Sequence, residues 1–237
     1  MVYNTKNKKE KQKEMISTIL KTNNKGKIKG RILEKAENKY SIEGENFYEG
    51  KLVVERLSEA NDILPFTISE KLVKAYGLTL EAGMNVSFSG ELRSYNKIVD
   101  GKSRLILSFF VKEVNALEDE EVSDLNELNL TGFICKDPIF RVTPFNRQIC
   151  DVLLAVNRPN FNKSDYIPCI LWGRNAKFIQ NQKVGTKINL IGRIQSRPYR
   201  KEVSEGVFEE RTAYEVSAQS IEIVDNANSI EETQDLA

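Results

Sequence analysis

The chain has 237 residues, of which 40% are hydrophobic and 29% are charged, and its formal net charge is +1. This length is enough for one large domain or for two domains of about 100–120 residues, each with its own core. No apolar run approaches the roughly 18 residues of a membrane helix, and the amino terminus lacks the apolar segment of a secretory signal, so we expect a soluble, cytoplasmic protein. The chain contains no histidine, which removes the commonest general base and the commonest metal ligand.

The net charge hides an uneven distribution. Residues 1–117 carry twenty-one lysines and arginines against fifteen acidic residues, and residues 128–221 carry fourteen against eight, so each part has a net charge of +6. The remaining −11 lies in two short acidic stretches, at residues 118–127 and 222–235. Two mildly basic bodies with acidic connectors suit a polyanionic partner. Ordinary surface charge is the alternative interpretation.

The two ends of the chain have little apolar material to bury. Residues 1–24 are rich in Lys, Asn, Glu and Gln, and they predict a flexible basic arm. Such an arm would either add phosphate contacts or serve only as a solubilising tail. Residues 225–237 predict a short acidic tail.

A repeat begins at residue 25, with an offset of 102 residues. Between residues 30 and 94, nine identities recur at this one ungapped offset, and three of them are glycines at turn-like positions. The matching pairs are Gly30 and Gly132, Ile32 and Ile134, Leu52 and Leu154, Val54 and Val156, Arg56 and Arg158, Ile68 and Ile170, Gly83 and Gly185, Gly90 and Gly192, and Ser94 and Ser196. The chain is therefore predicted to hold two copies of one domain, at 25–117 and 128–224, with an acidic linker at 118–127.

Both copies predict the same order of elements, because apolar and polar residues largely alternate along five short runs in each. The predicted strands are residues 27–34, 47–57, 62–68, 86–95 and 104–114 in the first copy, and 128–136, 148–157, 165–172, 188–196 and 211–224 in the second. A short helix follows the third strand, at 69–76 with Ser69 as its N-cap and at 175–182. This order predicts an all-β chain of two tandem, five-stranded OB-fold barrels. Another small five-stranded barrel would fit the strand count alone.

The three cysteines form no pair with metal-binding spacing. Cys135, Cys150 and Cys169 all fall within predicted strands. They are therefore expected to be reduced core residues of a cytosolic protein.

The second copy carries a set of motifs that are specific when taken together. They are Leu130-Thr131-Gly132, Lys136-Asp137-Pro138, Arg141-Val142-Thr143-Pro144, Leu154-Ala155-Val156-Asn157-Arg158, the run 165–173, and Gly192-Arg193-Ile194-Gln195-Ser196-Arg197. On these residues the second copy resembles the bacterial single-stranded DNA-binding protein family, whereas the first copy resembles it only through the repeat. The resemblance implies sequence-independent binding of single-stranded DNA in replication, recombination or repair, and a nucleoid-associated location in a bacterial cytoplasm.

In that family, aromatic side chains on the barrel and its loops stack on DNA bases. The resemblance places Tyr166 and Trp172 at aromatic positions of the third strand, Tyr199 just after the fourth, and Phe161, as a looser match, in the loop after the second. Stacking is worth roughly 1–3 kcal/mol per base and tolerates any base. On a regular strand Tyr166 and Trp172 share one face, and Cys169 lies on the other, core-facing side. The alternative is that both rings belong to the core.

Basic residues near these aromatics are the candidate phosphate contacts, because each neutralised phosphate makes binding more salt-dependent. In the second copy they are Arg141, Arg158, Arg174, Arg193, Arg197, Arg200 and Lys201. The last two begin a predicted hairpin loop at 199–213 that would wrap around a DNA strand. For each residue alone, a solvated surface position is the alternative.

The first copy has fewer of these residues. Arg56, Arg93 and Tyr95 occupy comparable positions, but Leu64 stands where the second copy has Tyr166. Phe66, further along the same strand, is the residue expected to replace that ring. The first copy is expected to bind DNA more weakly or to serve mainly in packing between the barrels.

The resemblance also bears on partners. Family members usually end in an acidic tail that closes in Pro-Phe and recruits replication and repair proteins. The sequence here ends in Asp235-Leu236-Ala237, so recruitment by that route is not expected, although such proteins remain candidate partners. Family assemblies bring four barrels together, which implies that this chain forms a homodimer. RNA is the open alternative to DNA as the ligand.

The residues predict no enzyme, metal site or cofactor. There is no Gly-rich phosphate loop, no CxxC motif, and no nucleophile beside a plausible base. The alternative to DNA binding is a protein-interaction module, as in primosome assembly, with weak or no DNA contact. The divergent first copy favours that alternative, and the aromatic and arginine residues of the second copy disfavour it.

Overall fold

The computed structural model describes residues 23–56, 58, 60–99, 101–115, 124–158 and 162–224. The predicted amino-terminal arm up to residue 22, residues 118–123 of the predicted linker and the predicted tail at 225–237 lie outside the described residues, and so does Phe161. The described part is all-β, with two short helices. No helix in it is long and apolar enough to cross a membrane.

The strands fall into two sets of six, each with one helix. The first set is β1 (Asn24–Ile32), β2 (Glu37–Ile42), β3 (Glu45–Glu55), β4 (Asn61–Ser69), α1 (Glu70–Ala75), β5 (Asn85–Val99) and β6 (Lys102–Val114). The second set is β7 (Leu125–Ile134), β8 (Ile139–Val142), β9 (Gln148–Asn157), β10 (Ser164–Trp172), α2 (Gly173–Ile179), β11 (Lys187–Ser204) and β12 (Val207–Ile223). We call the first set the first barrel and the second set the second barrel.

Strand pairing closes each set on itself. In the first barrel β1 pairs with β3 and β5, β3 pairs with β4, β4 runs parallel to β6, and β6 pairs with β5. The second barrel repeats this arrangement with β7, β9, β10, β12 and β11. The ring of five strands, with a helix between the third and fourth, confirms the predicted OB-fold class. The extra strands β2 and β8, which the sequence did not predict, form hairpins with β3 and β9.

The first strand of each barrel crosses the second strand at a glycine. A Cβ on Gly30 would lie 2.2 Å from the carbonyl oxygen of Val53, and one on Gly132 would lie 2.5 Å from that of Ala155. No side chain fits at such a distance, so only glycine lets the two backbones approach and the barrel close. This contact explains why these two glycines recur in the repeat.

The helices differ in how closely they match their predicted bounds. Helix α1 begins after Ser69, as predicted, and the Ser69 hydroxyl accepts a hydrogen bond from the Leu72 amide at 3.4 Å. Helix α2 begins at Gly173, two residues before its predicted start, and its buried residues Ala176 and Ile179 pack it against the barrel core. The N-cap position is then Trp172, which makes no side-chain capping bond.

The third strands show that the ungapped repeat is one residue out of register at that point. Asp62 pairs with Val54, and Asp165 pairs with Val156, so the segment before β10 is one residue longer than the segment before β4. The predicted match between Ile68 and Ile170 is therefore wrong. An ungapped comparison cannot detect a single inserted residue, but on a strand this shift exchanges the two faces.

The corrected register changes the prediction for the first copy. Ile63, and not Leu64, occupies the position of Tyr166, and Leu64 is fully buried. Phe66 is also fully buried, with its ring centroid 5.4 Å from that of Phe88. Phe66 therefore belongs to the core and does not replace the exposed ring of the second copy.

The predicted wrapping loop at 199–213 is a regular hairpin. Strand β11 continues to Ser204, β12 begins at Val207, and the turn between them uses Gly206 at φ 72°. Residues 199–202 pair with residues 208–211. Pairing between the two strands satisfies the inward-facing backbone groups of this segment. It is therefore a regular two-stranded arm whose side chains and outward-facing backbone groups are available to a ligand.

The cysteines are free thiols, and two of them lie in the core. Cys150 and Cys169 are buried, whereas Cys135 is half-buried. Burial raises the pKa of the Cys150 thiol to about 11, and it also raises the pKa of Cys169. Both thiols therefore stay protonated at neutral pH, where they act as small apolar side chains.

Candidate nucleic-acid interface

The two barrels are joined by a continuous sheet. Strand β1 of the first barrel pairs antiparallel with β7 of the second, from Asn24 opposite Leu130 to Lys29 opposite Leu125. The side-chain amide of Asn24 bonds to the backbone of Leu92, and that of Asn126 bonds in the same way to Ile194. The repeat therefore gives the junction an approximate two-fold symmetry.

A buried carboxylate lies at each end of this junction. Asp62, at the start of β4, accepts bonds from the Nε of Arg56 at 2.7 Å, from Arg193 at 2.7 Å and from the amide of Ser196 at 2.8 Å. The last two residues belong to the second barrel. The side chain of Asp62 is only 1% exposed, so its charge depends on these donors.

The mirror site uses Asp165, at the start of β10. This carboxylate accepts bonds from the Nε of Arg158 at 2.9 Å, from Arg93 at 2.9 Å and from the amide of Ser94 at 2.6 Å. Arg93 and Ser94 belong to the first barrel, so each barrel supplies donors for the buried acid of the other. The Ser94 hydroxyl also accepts the amide proton of Tyr166 at 2.7 Å. We call these two mirrored sets the barrel joint; its members are Arg56, Asp62, Arg93, Ser94, Arg158, Asp165, Arg193 and Ser196.

Four predicted phosphate contacts therefore lie in the barrel joint: Arg56, Arg93, Arg158 and Arg193. Their side chains are 18–35% exposed, and each is paired with a buried carboxylate. The hydrogen bond to Asp62 raises the pKa of Arg56, whereas burial and the nearby Arg56 charge lower that of Arg193. A guanidinium stays charged through such changes, so all four act as cations inside the protein.

The outer face of β10 carries two exposed rings. Tyr166 is 47% exposed and Trp172 is 38% exposed, while Cys169 and Leu171 between them are buried. Ile170 shares the outer face by alternation but is only 4% exposed, because β12 runs alongside β10 at this point and pairs Ser217 with it.

The neighbouring strands extend this face. Strand pairing places Arg141 of β8, Ile149 of β9 and Trp172 of β10 in one cross-strand row. The Nε of Arg141 donates to Asp151 at 2.8 Å, and that pair is half exposed. A ring and a guanidinium thus lie in one row of the second barrel, two strands apart.

The remaining predicted residues of the second barrel are on the surface. Tyr199 is exposed on the long hairpin, Arg174 is exposed at the start of α2, and Lys201 is exposed further along β11. Arg200 makes a long, exposed ion pair of 3.5 Å with Glu210. Arg197 is itself half exposed and lies 3.5 Å from the largely buried Glu215. Pairs of this kind contribute little to stability, so these cations can exchange their partners for a ligand.

Tyr95 of the first barrel is exposed on the β5–β6 hairpin. Partial burial raises its pKa, and the nearby Glu49 carboxylate raises it further. The hydroxyl of Tyr95 is therefore protonated at neutral pH and faces an acidic neighbour.

Sequence reasoning missed a cluster of aromatic rings on the first barrel. The rings of Tyr40 and Phe47 are stacked with centroids 5.3 Å apart, and Phe110 follows at 5.9 Å from Phe47. Tyr40 lies on β2, which was not predicted as a strand. The available signal was the turn at Glu43-Gly44, where both residues have positive φ, between two short runs that contain aromatics.

Comparison with known proteins agrees with this geometry. A family model described as the single-strand binding protein family matches residues 125–224. Single-stranded DNA-binding protein 3 of Streptococcus agalactiae is 31% identical over 115 residues, which cover 46% of this chain and 80% of that protein. Single-stranded DNA-binding protein A of Bacillus subtilis is 34% identical over 110 residues, which cover 44% of this chain but only 62% of that protein.

The fold extends over both barrels in a solved structure. The crystal structure of wild-type single-stranded DNA binding protein from Thermus aquaticus matches 85% of this chain and 93% of its own, with a TM-score of 0.64 and 19% identity. At that identity the match establishes the fold alone, which is the OB-fold class. The sequence relatives establish the family, and this chain belongs to the single-strand binding protein family.

Two aspartates of the second barrel, one in the barrel joint and one on the surface, should differ in how much stability is lost when each is replaced by alanine. Asp165→Ala leaves two guanidiniums without their buried partner, so we expect the free energy of unfolding to fall by about 3–5 kcal/mol. Asp151→Ala breaks the exposed pair with Arg141 and should cost less than about 1 kcal/mol. Urea denaturation of both variants measures the difference. Equal costs would show that the buried Asp165 contributes no more to stability than the exposed Asp151.

Proposed function

We propose that this chain binds single-stranded DNA without sequence preference, by stacking bases on exposed rings and by neutralising phosphates. The observation that carries this proposal is the exposure of Tyr166 and Trp172 on one face of a barrel whose apolar core is complete beneath them. Exposed aromatic rings beside cations are what a stacking surface requires. Because stacking contacts the face of a base and not its hydrogen-bonding edge, such a surface binds any sequence.

The proposed contact set is narrower than the set of basic residues in the sequence. Arg141, Arg174, Arg197, Arg200 and Lys201 are exposed or only weakly paired, and we assign them to phosphates. The four arginines of the barrel joint already neutralise buried carboxylates, so we assign them to holding the strands from which the rings project. Tyr199 and Tyr95 remain proposed contacts on the hairpins, and Phe161 is proposed from the family resemblance alone.

We further propose that the chain is two tandem OB-fold domains, predicted at 25–117 and 128–224, with an arm, a linker and a tail at 225–237. Because β1 begins at Asn24 and β7 at Leu125, the proposed arm ends before residue 24 and the proposed linker before residue 125. Support comes from the shared strand order and the mirrored junction. The proposed setting is the nucleoid in a bacterial cytoplasm, where the protein would protect or organise single-stranded DNA in replication, recombination or repair. The chain acts there as a binding protein and not as an enzyme, and replication or repair proteins are its proposed partners.

Trp172 gives a direct test, because it is the only tryptophan in the chain. Titration with an oligothymidine of a few dozen nucleotides should quench its fluorescence, and higher salt should weaken the binding. With a fluorescein-labelled oligonucleotide, Trp172→Ala should weaken binding roughly 5- to 150-fold, which corresponds to the 1–3 kcal/mol of one stacked base. Trp172→Phe should retain most of the affinity.

Phe178→Ala is the matched control, because Phe178 is an exposed ring on α2 of the same barrel; it should leave the affinity unchanged. A mobility-shift assay provides an independent measure of binding. No shift and no quenching with the wild-type protein would refute DNA binding.

The barrel joint predicts that the first barrel helps to position Tyr166. Ser94→Ala removes the hydroxyl that accepts the Tyr166 amide, so the strand that carries this ring is held less firmly. The hydrogen bond is worth about 0.5–1.5 kcal/mol, so the loss of affinity for oligothymidine should be at most roughly two- to tenfold. Ser196→Ala is the control, because its hydroxyl makes the mirror bond to the amide of Ile63 at 2.9 Å, where the first barrel has no exposed ring. Equal losses in both variants would contradict the positioning role.

A homodimer with four barrels is the proposed assembly. An open groove of about 710 Å³ crosses the sheet where the barrels meet, and its lining includes Lys27, Glu127 and the exposed Ile191. Lys27 lies directly opposite Glu127 in the sheet, so a two-fold contact can match opposite charges around an apolar centre. Sedimentation equilibrium should give twice the chain mass of 27.0 kDa. A strict monomer at micromolar concentration would remove this proposal.

A further inference from the structure

The two barrels can be compared row by row, because their strands pair in the same way. The row of the second barrel that contains Trp172 begins at Arg141 and passes through Ile149. The equivalent row of the first barrel begins at Tyr40, passes through Phe47 and ends at Ser69. The serine thus stands where the second barrel has its ring. Aromatic surface is nevertheless present in this row, supplied by the other two strands.

The rings of this row form a platform. Tyr40 and Phe47 are stacked, with centroids 5.3 Å apart and planes inclined by 17°, and Phe110 of β6 packs at 5.9 Å on the far side of the row. Tyr40 is 38% exposed, the same fraction as Trp172. An outer ring of this exposure, backed by a second ring, presents a firm flat surface to a further planar group.

An irregularity in β2 places Tyr40 next to Phe47. The pairing of β2 with β3 shifts register between Asn38 and Tyr40, so a bulge at Lys39 places Tyr40 directly opposite Phe47. Bulges re-aim side chains in this way. All six residues of β2 are exposed, so the barrel core does not require an aromatic residue here.

The charge around the platform is mixed. The ammonium of Lys112 lies 5.0 Å from the centroid of Phe110, and Lys39 makes only an exposed pair with Glu37. Both lysines can approach a phosphate. Glu49 adds a negative charge close to Tyr40. Partial burial of Tyr40 raises its pKa, and the Glu49 carboxylate raises it further. The platform is therefore expected to bind a polyanion more weakly than the second barrel does, and with a smaller salt dependence.

We propose that Tyr40, Phe47 and Phe110 form a second base-stacking site, on the first barrel, for the same single-stranded nucleic acid. This inference rests on the proposed function, since it assigns the first barrel a share in the same ligand. The site lies in the same part of the OB-fold as the second-barrel face, but its rings come from the strands equivalent to β8, β9 and β12 and not from the equivalent of β10. A single-stranded nucleic acid of sufficient length would contact both barrels.

The first experiment removes and then restores the outer ring. Tyr40→Ala should weaken binding of a labelled oligothymidine of a few dozen nucleotides at least about threefold, and Tyr40→Phe should restore it, because stacking needs the ring and not the hydroxyl. Tyr76→Ala is the matched control, an exposed tyrosine at the end of α1 in the same barrel. Thermal unfolding of each variant verifies that it is folded. If Tyr40→Ala binds as tightly as the wild type, the proposal is overturned.

The second experiment reports on the first barrel alone. Since Trp172 is the only tryptophan, the double variant Tyr40→Trp with Trp172→Phe places the sole fluorescent indole on the platform. Oligothymidine should quench this fluorescence, at higher concentrations than those that quench Trp172 in the wild type. Unchanged emission while the same sample shows a mobility shift would overturn the proposal and leave DNA binding by the second barrel intact. Failure of the wild-type protein to bind would instead refute the proposed function.

Discussion

The structure depends on two carboxylates that are buried where the barrels meet. A charged Asp62 or Asp165 inside the protein is tolerable only if donors surround it, and in each case part of the donor set comes from the other barrel. Within its own barrel each acid has one arginine, Arg56 or Arg158. The remaining donors tie the two barrels together, alongside the pairing of β1 with β7.

The same joint determines where the candidate ligand surfaces lie. Asp62 and Asp165 are the second residues of β4 and β10, whose outer faces differ between the barrels. The backbone amide that follows each aspartate is held by a serine of the other barrel. Tyr166 projects from one of these held positions, so residues far away in the sequence control a proposed stacking ring. The barrel joint thus supports the proposed binding surface from beneath, and none of its members needs to touch DNA.

The two barrels share their cores and differ on their outer faces. Core positions such as Leu64 and Ile167 are equivalent and fully buried, because packing leaves little freedom there. Outer positions have no such constraint. Rings appear on β10 of the second barrel and on β2, β3 and β6 of the first. Copies of one barrel can therefore hold aromatic surface in the same place with different residues.

The all-β class, the repeat and the faces of β10 could be predicted from the sequence, because alternation of apolar residues and recurring glycines report local geometry and close backbone contacts. The sequence also singled out Tyr166 and Trp172 as a pair on one face. The one-residue shift at β4, the extension of the β11–β12 hairpin and the aromatic cluster around Phe47 became visible only in the folded chain, and folding also decides several side-chain partners. In particular, Arg56, Arg93, Arg158 and Arg193 face buried carboxylates. A basic residue beside an aromatic strand looks the same in sequence whether its partner is a phosphate or an aspartate of the other barrel, because that partner is distant along the chain and meets it only after folding.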